Sequence, residues 1–325
     1  MTTELFVQTN IAVIWDFDKT LIPGYMQEPL FKYYNIDGRT FWREVNALPK
    51  HLRREGNELV AEDSIYLNHI LAYVRAGVFA GLNNQLLREL GKELEFYPGL
   101  PEFFPAVKEH VANNPEFSKY DIKVEHYIVS TGLRQMMLGS KIAPFTDGIW
   151  GCEFVELQFP PGYLKSSAPE EQMEQITIQD IGYVIDNTTK TRAIFEINKG
   201  VNKTPHIDVN THIPKGDRRI PFQNMVYVAD GPSDVPVFSL INQNGGRTFG
   251  VYAKGVREEF AQVNELQKQG RIHSFGEANY SPNTQTYMWI MNAVDEIGKS
   301  IVKNREWLMK NRLGESPRHL DGQEE

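Results

Sequence analysis

The stretch that decides the fold reads Ile11-Ala12-Val13-Ile14-Trp15-Asp16-Phe17-Asp18-Lys19-Thr20. Its apolar beginning, 11–15, is continuous and rich in β-branched residues, which is typical of a strand buried on both faces of a parallel sheet. The run stops at Asp16, and Asp18 follows at a spacing of two, so both carboxylates point to the same side of an extended chain. Like charges this close raise each other's pKa unless a cation neutralises them. We therefore expect a cation-dependent site here. If these two aspartates stood alone, an acidic turn that caps the strand would be the simpler interpretation.

Two later segments repeat this arrangement. The apolar run 126–129 ends at Ser130-Thr131-Gly132, and the run 225–229 ends at Asp230. In open α/β sheets, ligands bind beyond the carboxyl ends of the strands, so these polar tips are expected to converge on one site. Helical patterns alternate with the strands, which favours an α/β fold with a doubly wound, mainly parallel, Rossmann-like sheet.

The segment 24–97 has a different character, because it contains helical patterns and no buried-strand run. We interpret it as an α-helical insertion into the sheet domain. The sheet domain is then expected to comprise residues 1–23 and 98–313. The polar end of the chain, 314–325, is predicted to be a disordered tail.

Composition excludes several classes of protein. The chain has 325 residues, of which 41% are hydrophobic and 23% charged, as in folded globular proteins. The formal net charge of −8 disfavours binding to nucleic acid or to an anionic membrane surface. The single cysteine, Cys152, cannot form an internal disulfide, and neither a secretory leader nor a membrane-spanning run is recognisable. We expect a cytoplasmic protein without nucleic-acid or membrane partners.

The motifs resemble those of the haloacid dehalogenase-like (HAD) superfamily on its phosphatase side. Asp16-Phe17-Asp18-Lys19-Thr20 is similar to the first motif, Ser130 to the second, Lys190 to the third, and Asp230-Gly231-Pro232-Ser233-Asp234 to the fourth. The motifs occur in the expected order over nearly the whole chain. The run Ser130-Thr131-Gly132-Leu133-Arg134 and a helical cap directly after the first motif are similar to the phosphoserine-phosphatase-like branch.

The resemblance implies two catalytic carboxylates, and the residues support it. Asp16 is the expected nucleophile, which forms an aspartyl-phosphate. Asp18 is expected to protonate the leaving alcohol and then to activate water. Thr20 is expected to orient Asp16, with the role of a simple turn residue as an equal alternative.

The remaining motifs are expected to bind phosphate and metal. Ser130, the amides of Thr131 and Gly132 at a helix start, and Lys190 would bind the phosphoryl oxygens. Lys199 and Lys203 compete with Lys190 for the role of the phosphate-clamping lysine.

Magnesium prefers oxygen ligands, which suits Asp16, the backbone carbonyl of Asp18 and the carboxylate of Asp230. Asp234 would lie in the outer shell of the metal site.

We predict a magnesium-dependent hydrolase that acts through an aspartyl-phosphate on a small phosphorylated metabolite. A phosphonate hydrolase, a phosphoprotein phosphatase and a non-catalytic binding protein of the same fold are the alternatives. The aromatic residues of the predicted cap form either its hydrophobic core, which is the simpler interpretation, or a substrate pocket. They are Phe31, Tyr33, Tyr34, Phe41 and Trp42.

Overall fold

A seven-stranded sheet organises the described chain. The computed structural model describes residues 8–157, 161–165 and 177–312, and within these the strand order is β4-β3-β2-β1-β5-β6-β7. All neighbouring strands pair in parallel except β3 and β4, which are antiparallel. The strands are β1 (Asn10–Trp15), β2 (Lys123–Leu133), β3 (Gly148–Val155), β4 (Asp180–Tyr183), β5 (Met225–Ala229), β6 (Arg247–Tyr252) and β7 (Ser274–Glu277).

The strand order places β1 at the point where the chain reverses its direction across the sheet. From β1 the chain adds β2, β3 and β4 on one side, and then β5, β6 and β7 on the other. Such a switch point leaves a crevice at the carboxyl ends of the two central strands. The predicted doubly wound α/β fold is confirmed, and its crevice lies between the ends of β1 and β5.

Both faces of β1 are buried, as its continuous apolar sequence predicts. Ile11, Val13 and Trp15 belong to one hydrophobic cluster, whereas Ala12 and Ile14 belong to a second cluster on the opposite face. This division follows from the alternation of side chains along a strand.

Helices cover the sheet and fill the predicted cap segment. Helices α1 to α4 lie between β1 and α5, where the sequence predicts the insertion. The division into core and cap stays a prediction, and the predicted tail, 314–325, lies outside the described residues. The helices are α1 (Glu28–Tyr33), α2 (Gly38–Arg54), α3 (Ile65–Arg75), α4 (Asn84–Gly91), α5 (Phe103–Ala112), α6 (Pro115–Ser118), α7 (Arg134–Gly139), α8 (Lys190–Lys199), α9 (Val235–Gln243), α10 (Arg257–Lys268) and α11 (Gln285–Arg312).

The end of β2 differs from the expectation. The sequence predicts that the strand stops at Val129 and that Thr131 and Gly132 lie at a helix start, which is wrong. Strand β2 continues to Leu133, because pairing with β3 resumes there after a shift in register. Helix α7 begins only at Arg134.

No helix within the described ranges is both long and apolar enough to cross a bilayer.

Candidate active site

The site lies where the two central strands end. Asp16 directly follows β1, and its backbone amide donates a hydrogen bond of 2.9 Å to the carbonyl of Val228 in β5. Asp230 directly follows β5. Parallel pairing of the two strands therefore brings these carboxylates to the same edge of the sheet, as the sequence predicts.

Lys190 connects two carboxylates of the site. It is the first residue of α8 and is only 1% exposed. Its Nζ donates to Asp16 Oδ1 at 2.9 Å and to Asp234 Oδ1 at 2.6 Å. Burial alone lowers the pKa of the Lys190 ammonium, but the charges and hydrogen bonds of Asp16 and Asp234 outweigh burial and raise it. Lys190 is therefore a fixed positive charge beside Asp16.

The two competing lysines lie elsewhere. Lys199 Nζ donates to the carbonyls of Val209 and Thr211, at 2.6 and 2.7 Å. Lys203 Nζ donates to the carbonyl of Asp147 at 3.3 Å. Only Lys190 of the three contacts Asp16 within the described part of the chain.

Three carboxylates form a cluster with the geometry of a cation site. One oxygen from each of Asp16, Asp230 and Asp234 lies within 4.8 Å of the others. Oxygen donors of this kind suit magnesium, so the side chains fit the predicted metal. Burial, followed by the charges of Asp16 and Asp234, raises the pKa of Asp230 well above its usual range. A bound cation would relieve this repulsion.

Asp230 and Asp234 differ in their hydrogen bonds. Asp234 Oδ1 accepts from Lys190 and from the hydroxyl of Tyr227 at 2.5 Å, and its Oδ2 accepts from Ser233 Oγ at 2.9 Å. None of the described groups donates to the carboxylate of Asp230. Asp230 therefore has oxygen lone pairs available for a metal, whereas both oxygens of Asp234 already have donors. The position of Asp234 in the outer shell of the metal site stays a prediction, because one of its oxygens lies within 4.8 Å of an oxygen of each of the other two carboxylates.

Asp16 and Asp18 have different environments. Burial raises the pKa of Asp16 to about 6, although Lys190 opposes the shift. Asp18 is partly buried, and its Oδ1 accepts a hydrogen bond of 3.0 Å from the amide of Met26. Burial and then the charge of Asp16 raise the pKa of Asp18 to about 8. The raised pKa favours the protonated form of Asp18, which is the form that can donate a proton.

The predicted phosphate-binding residues of β2 lie at the same edge of the sheet. Ser130 Oγ is buried and accepts a hydrogen bond of 3.1 Å from the amide of Gly132. The carbonyl of Thr131 accepts a hydrogen bond of 2.7 Å from the hydroxyl of Tyr66 in α3. A Cβ atom on Gly132 would lie 2.1 Å from Met26 Cε, so any larger residue at this position would force the Met26 side chain to shift. The binding of phosphate by these residues stays a prediction.

Thr20 is fully buried, but its hydroxyl has no hydrogen-bond partner among the described residues. The predicted orienting contact with Asp16 is thus not formed by this hydroxyl. Its backbone carbonyl instead accepts a hydrogen bond of 2.6 Å from the hydroxyl of Tyr280.

Sequence reasoning missed three residues of the site, namely Met26, Tyr66 and Tyr227. Tyr227 carries the only polar side chain within the apolar run 225–229, which is a signal that could have identified it. Tyr66 and Met26 lie in the predicted cap segment, and no local pattern marks them, because they reach the site through the tertiary fold.

Comparison with known proteins identifies one relative by sequence. A protein of Borreliella burgdorferi, described as an uncharacterized protein, is 40% identical over 287 residues, which cover 87% of this chain and 96% of the relative. No protein-family model matches the chain.

Solved structures with distant similarity include hydrolases. A HAD family hydrolase of Salmonella enterica serovar Typhi has a TM-score of 0.47 at 13% identity, with 82% of this chain and 67% of that chain covered. A probable phosphoserine phosphatase of Vibrio cholerae has a TM-score of 0.47 at 14% identity, with 90% and 68% covered. A phosphoserine phosphatase in a phospho-aspartyl intermediate analogue form has a TM-score of 0.45 at 11% identity, with 82% and 93% covered.

Proposed function

We propose that this chain, which belongs to the same protein family as its Borreliella burgdorferi relative, is a haloacid dehalogenase-like hydrolase of small phosphate monoesters. The observation that carries the proposal is the position of Lys190, which is buried and bonded to both Asp16 and Asp234 at the switch point of the sheet. A carboxylate nucleophile beside a fixed cation is what transfer of a phosphoryl group requires.

In the first step, Asp16 would attack the phosphorus atom of the ester. A bond forms between an Asp16 carboxylate oxygen and phosphorus, and the bond between phosphorus and the ester oxygen breaks. Asp18, whose pKa is about 8, would give its proton to the departing oxygen and release an alcohol. Lys190 would stabilise the negative charge of the phosphoryl oxygens.

In the second step, the aspartyl-phosphate on Asp16 would be hydrolysed. Asp18, now a carboxylate, accepts a proton from a water molecule that attacks phosphorus. The bond between Asp16 and phosphorus breaks, inorganic phosphate leaves, and both carboxyl groups return to their starting states.

We propose that Mg²⁺ binds the carboxylates of Asp16 and Asp230 and the backbone carbonyl of Asp18, with Asp234 close by. The cluster geometry and the unpartnered carboxylate of Asp230 support this assignment. When bound, the ion supplies positive charge that neutralises the phosphoryl oxygens.

Residues of the predicted cap segment lie next to the site, which supports a small substrate. Tyr66 of α3 reaches the carbonyl of Thr131, and Met26 contacts both Asp18 and Gly132. These contacts place residues of the predicted cap segment against Asp18 and the predicted phosphate-binding segment, which disfavours a folded phosphoprotein as substrate.

The test is the hydrolysis of para-nitrophenyl phosphate by the wild type and by Asp16→Asn, with magnesium or with a chelator. We expect magnesium-dependent release of nitrophenol by the wild type, and a loss of at least about 1,000-fold in Asp16→Asn because the nucleophile is missing. Asp63→Asn, an exposed residue of the cap segment, is the matched control and should retain full activity. Equal activity of wild type and Asp16→Asn would refute the proposal.

A further inference from the structure

A short segment of β2 leaves the regular pairing of the sheet where phosphate is expected to bind. Strand β2 pairs with β3 at Val129 and again at Leu133, and the register shifts between these two positions. The backbone groups of the segment 130–132 must therefore find partners outside the regular ladder. One of these partners comes from the predicted cap.

The partner of the Thr131 carbonyl is the hydroxyl of Tyr66 in α3, which donates to it at 2.7 Å. Cys152 Sγ lies 3.3 Å from the same oxygen, but a thiol is a weaker donor than a phenol. Tyr66 is buried, and burial raises the pKa of its phenol well above the usual range, so the hydroxyl keeps its proton at neutral pH. The Thr131 carbonyl is thus held by a permanent donor.

The hydrophobic core of the predicted cap fixes the position of Tyr66. The ring of Trp42 in α2 packs on that of Tyr66, with centroids 5.8 Å apart. Trp42 packs in turn on Phe41 at 5.4 Å and on Phe31 at 6.4 Å, and both of these phenylalanines are buried. These aromatic residues therefore belong to the core of the predicted cap, and they hold the ring of Tyr66 in place.

The other side of the same peptide group is bonded to Ser130. In a planar trans peptide the carbonyl and the N–H point in opposite directions, so a bond to the Thr131 carbonyl fixes the direction of the Gly132 N–H. That N–H donates to Ser130 Oγ at 3.1 Å. Ser130 Oγ is the acceptor in this bond, which leaves its own hydrogen for donation to another group.

From these contacts we infer that Tyr66 is a positioning residue, which acts through the peptide between Thr131 and Gly132 to hold the Ser130 hydroxyl as a donor to a phosphoryl oxygen. The inference rests on the proposed phosphatase function. Tyr66 acts without touching the substrate itself. Because Tyr66 belongs to α3, the affinity for phosphate depends on the contact between the predicted cap and β2.

Binding of inorganic phosphate in the presence of magnesium tests the inference, and calorimetry measures its Kd. The substitution Tyr66→Phe keeps the packed ring and removes only the hydroxyl. Tyr34→Phe is the matched control, because the Tyr34 hydroxyl also donates to a backbone carbonyl, that of Ala80 at 2.9 Å, within the predicted cap segment. The two substitutions therefore remove the same kind of hydrogen bond, one of them at the site and the other away from it.

We expect Tyr66→Phe to weaken phosphate binding about tenfold and to lower kcat/KM for para-nitrophenyl phosphate by a similar factor, because the Ser130 hydroxyl is no longer held in place. Tyr34→Phe should change either quantity less than about twofold. Equal effects of the two substitutions on the Kd of phosphate would overturn the inference, since a general weakening of the cap would affect both variants alike.

The substitution Ser130→Ala shows whether Tyr66 acts through Ser130. In this background, Tyr66→Phe should weaken phosphate binding by less than a further twofold or so, because no hydroxyl is left to position. A second loss of about tenfold would overturn the inference, since Tyr66 would then act independently of Ser130. If Tyr66→Phe does not fold, Ser130→Ala alone decides, because a Kd within about twofold of the wild type would leave Tyr66 nothing to position.

Activity assays separate this inference from the proposed function. If the wild type hydrolyses para-nitrophenyl phosphate and Tyr66→Phe binds phosphate as tightly as Tyr34→Phe does, the inference fails and the phosphatase function stands. If phosphate binds in a manner that depends on Tyr66 and Ser130 but the wild type hydrolyses no phosphate ester, the positioning role stands and the proposed function fails.

Discussion

Lys190 is the residue on which the electrostatics of the site depend most. Its ammonium is 1% exposed and is bonded to Asp16 and Asp234, so its removal leaves two buried carboxylates facing each other. Lys190→Met should therefore lower kcat/KM for para-nitrophenyl phosphate at least about 100-fold. The measurement is steady-state kinetics on protein shown to be folded by circular dichroism.

Lys199→Met is the matched control for this substitution, since Lys199 binds only loop carbonyls within the described chain. It should reduce stability by about 1–3 kcal/mol and leave kcat/KM within about twofold of the wild type. Comparable losses of activity in both variants would contradict the assignment of Lys190.

At the residue scale, the sequence predicted those groups whose positions follow from a local pattern. Asp16 ends an apolar run, and Lys190 begins a helix whose apolar stripe faces the sheet. The contact between Tyr66 and Thr131 spans 65 positions of sequence, and no periodicity carries that information. The sequence also could not predict that the Thr20 hydroxyl lacks a hydrogen-bond partner among the described residues, because this depends on the side-chain rotamer that the surrounding packing imposes on Thr20.

At the scale of elements, the packing of α4 on α7 joins the predicted cap segment to the sheet domain. The two helices approach so closely that a Cβ atom on Gly139 would lie 1.9 Å from the carbonyl oxygen of Arg88, and one on Gly91 would lie 2.1 Å from that of Met136. In both cases the atoms that the added Cβ would meet belong to the backbone of the other helix, so no flexible side chain can move aside. The contact therefore requires glycine in each helix.

Gly139→Ala should lower the free energy of unfolding by about 1–3 kcal/mol, because the added methyl group forces the helices apart. Urea denaturation measures this change. Gly24→Ala is the matched control, since a Cβ atom at Gly24 meets nothing within 4 Å and should change stability by less than about 0.5 kcal/mol. An equal effect of both substitutions would show that α4 and α7 do not pack as described.

The boundaries of elements were harder to predict than their type. The apolar run 126–129 marks β2, but the strand extends to Leu133, where polar and small residues precede the last paired position. Pairing with Cys152 of β3 stabilises this extension, so the end of β2 depends on a neighbouring strand rather than on its own sequence.

For the molecule as a whole, convergence of the motifs was predictable while the strand order was not. Parallel strands with polar carboxyl ends must present those ends at one edge. Which strands are neighbours, and that β4 pairs antiparallel with β3, depends on long-range packing that single-strand patterns do not encode. The adjacency of β1 and β5 nevertheless decides the site, because it brings Asp230 to Asp16.

Binding of the proposed cation to the clustered carboxylates would make the stability of the whole protein depend on the concentration of that cation. Repulsion among Asp16, Asp230 and Asp234 opposes folding, and an ion that binds only the folded state stabilises it by mass action. Magnesium at about 100 times its dissociation constant should add about 2.7 kcal/mol and raise the Tm of the wild type by about 5 °C. Differential scanning calorimetry with magnesium and with a chelator measures this shift.

The substitution Asp230→Asn separates the effect of carboxylate repulsion from the effect of magnesium binding. It removes one charge from the cluster, so its Tm in chelator should exceed that of the wild type, whereas magnesium should no longer raise it. Asp63→Asn, at an exposed position, should keep the magnesium-dependent rise unchanged. A magnesium response of the same size in Asp230→Asn and in the wild type would mean that the ion binds elsewhere, since loss of a carboxylate ligand must weaken its site.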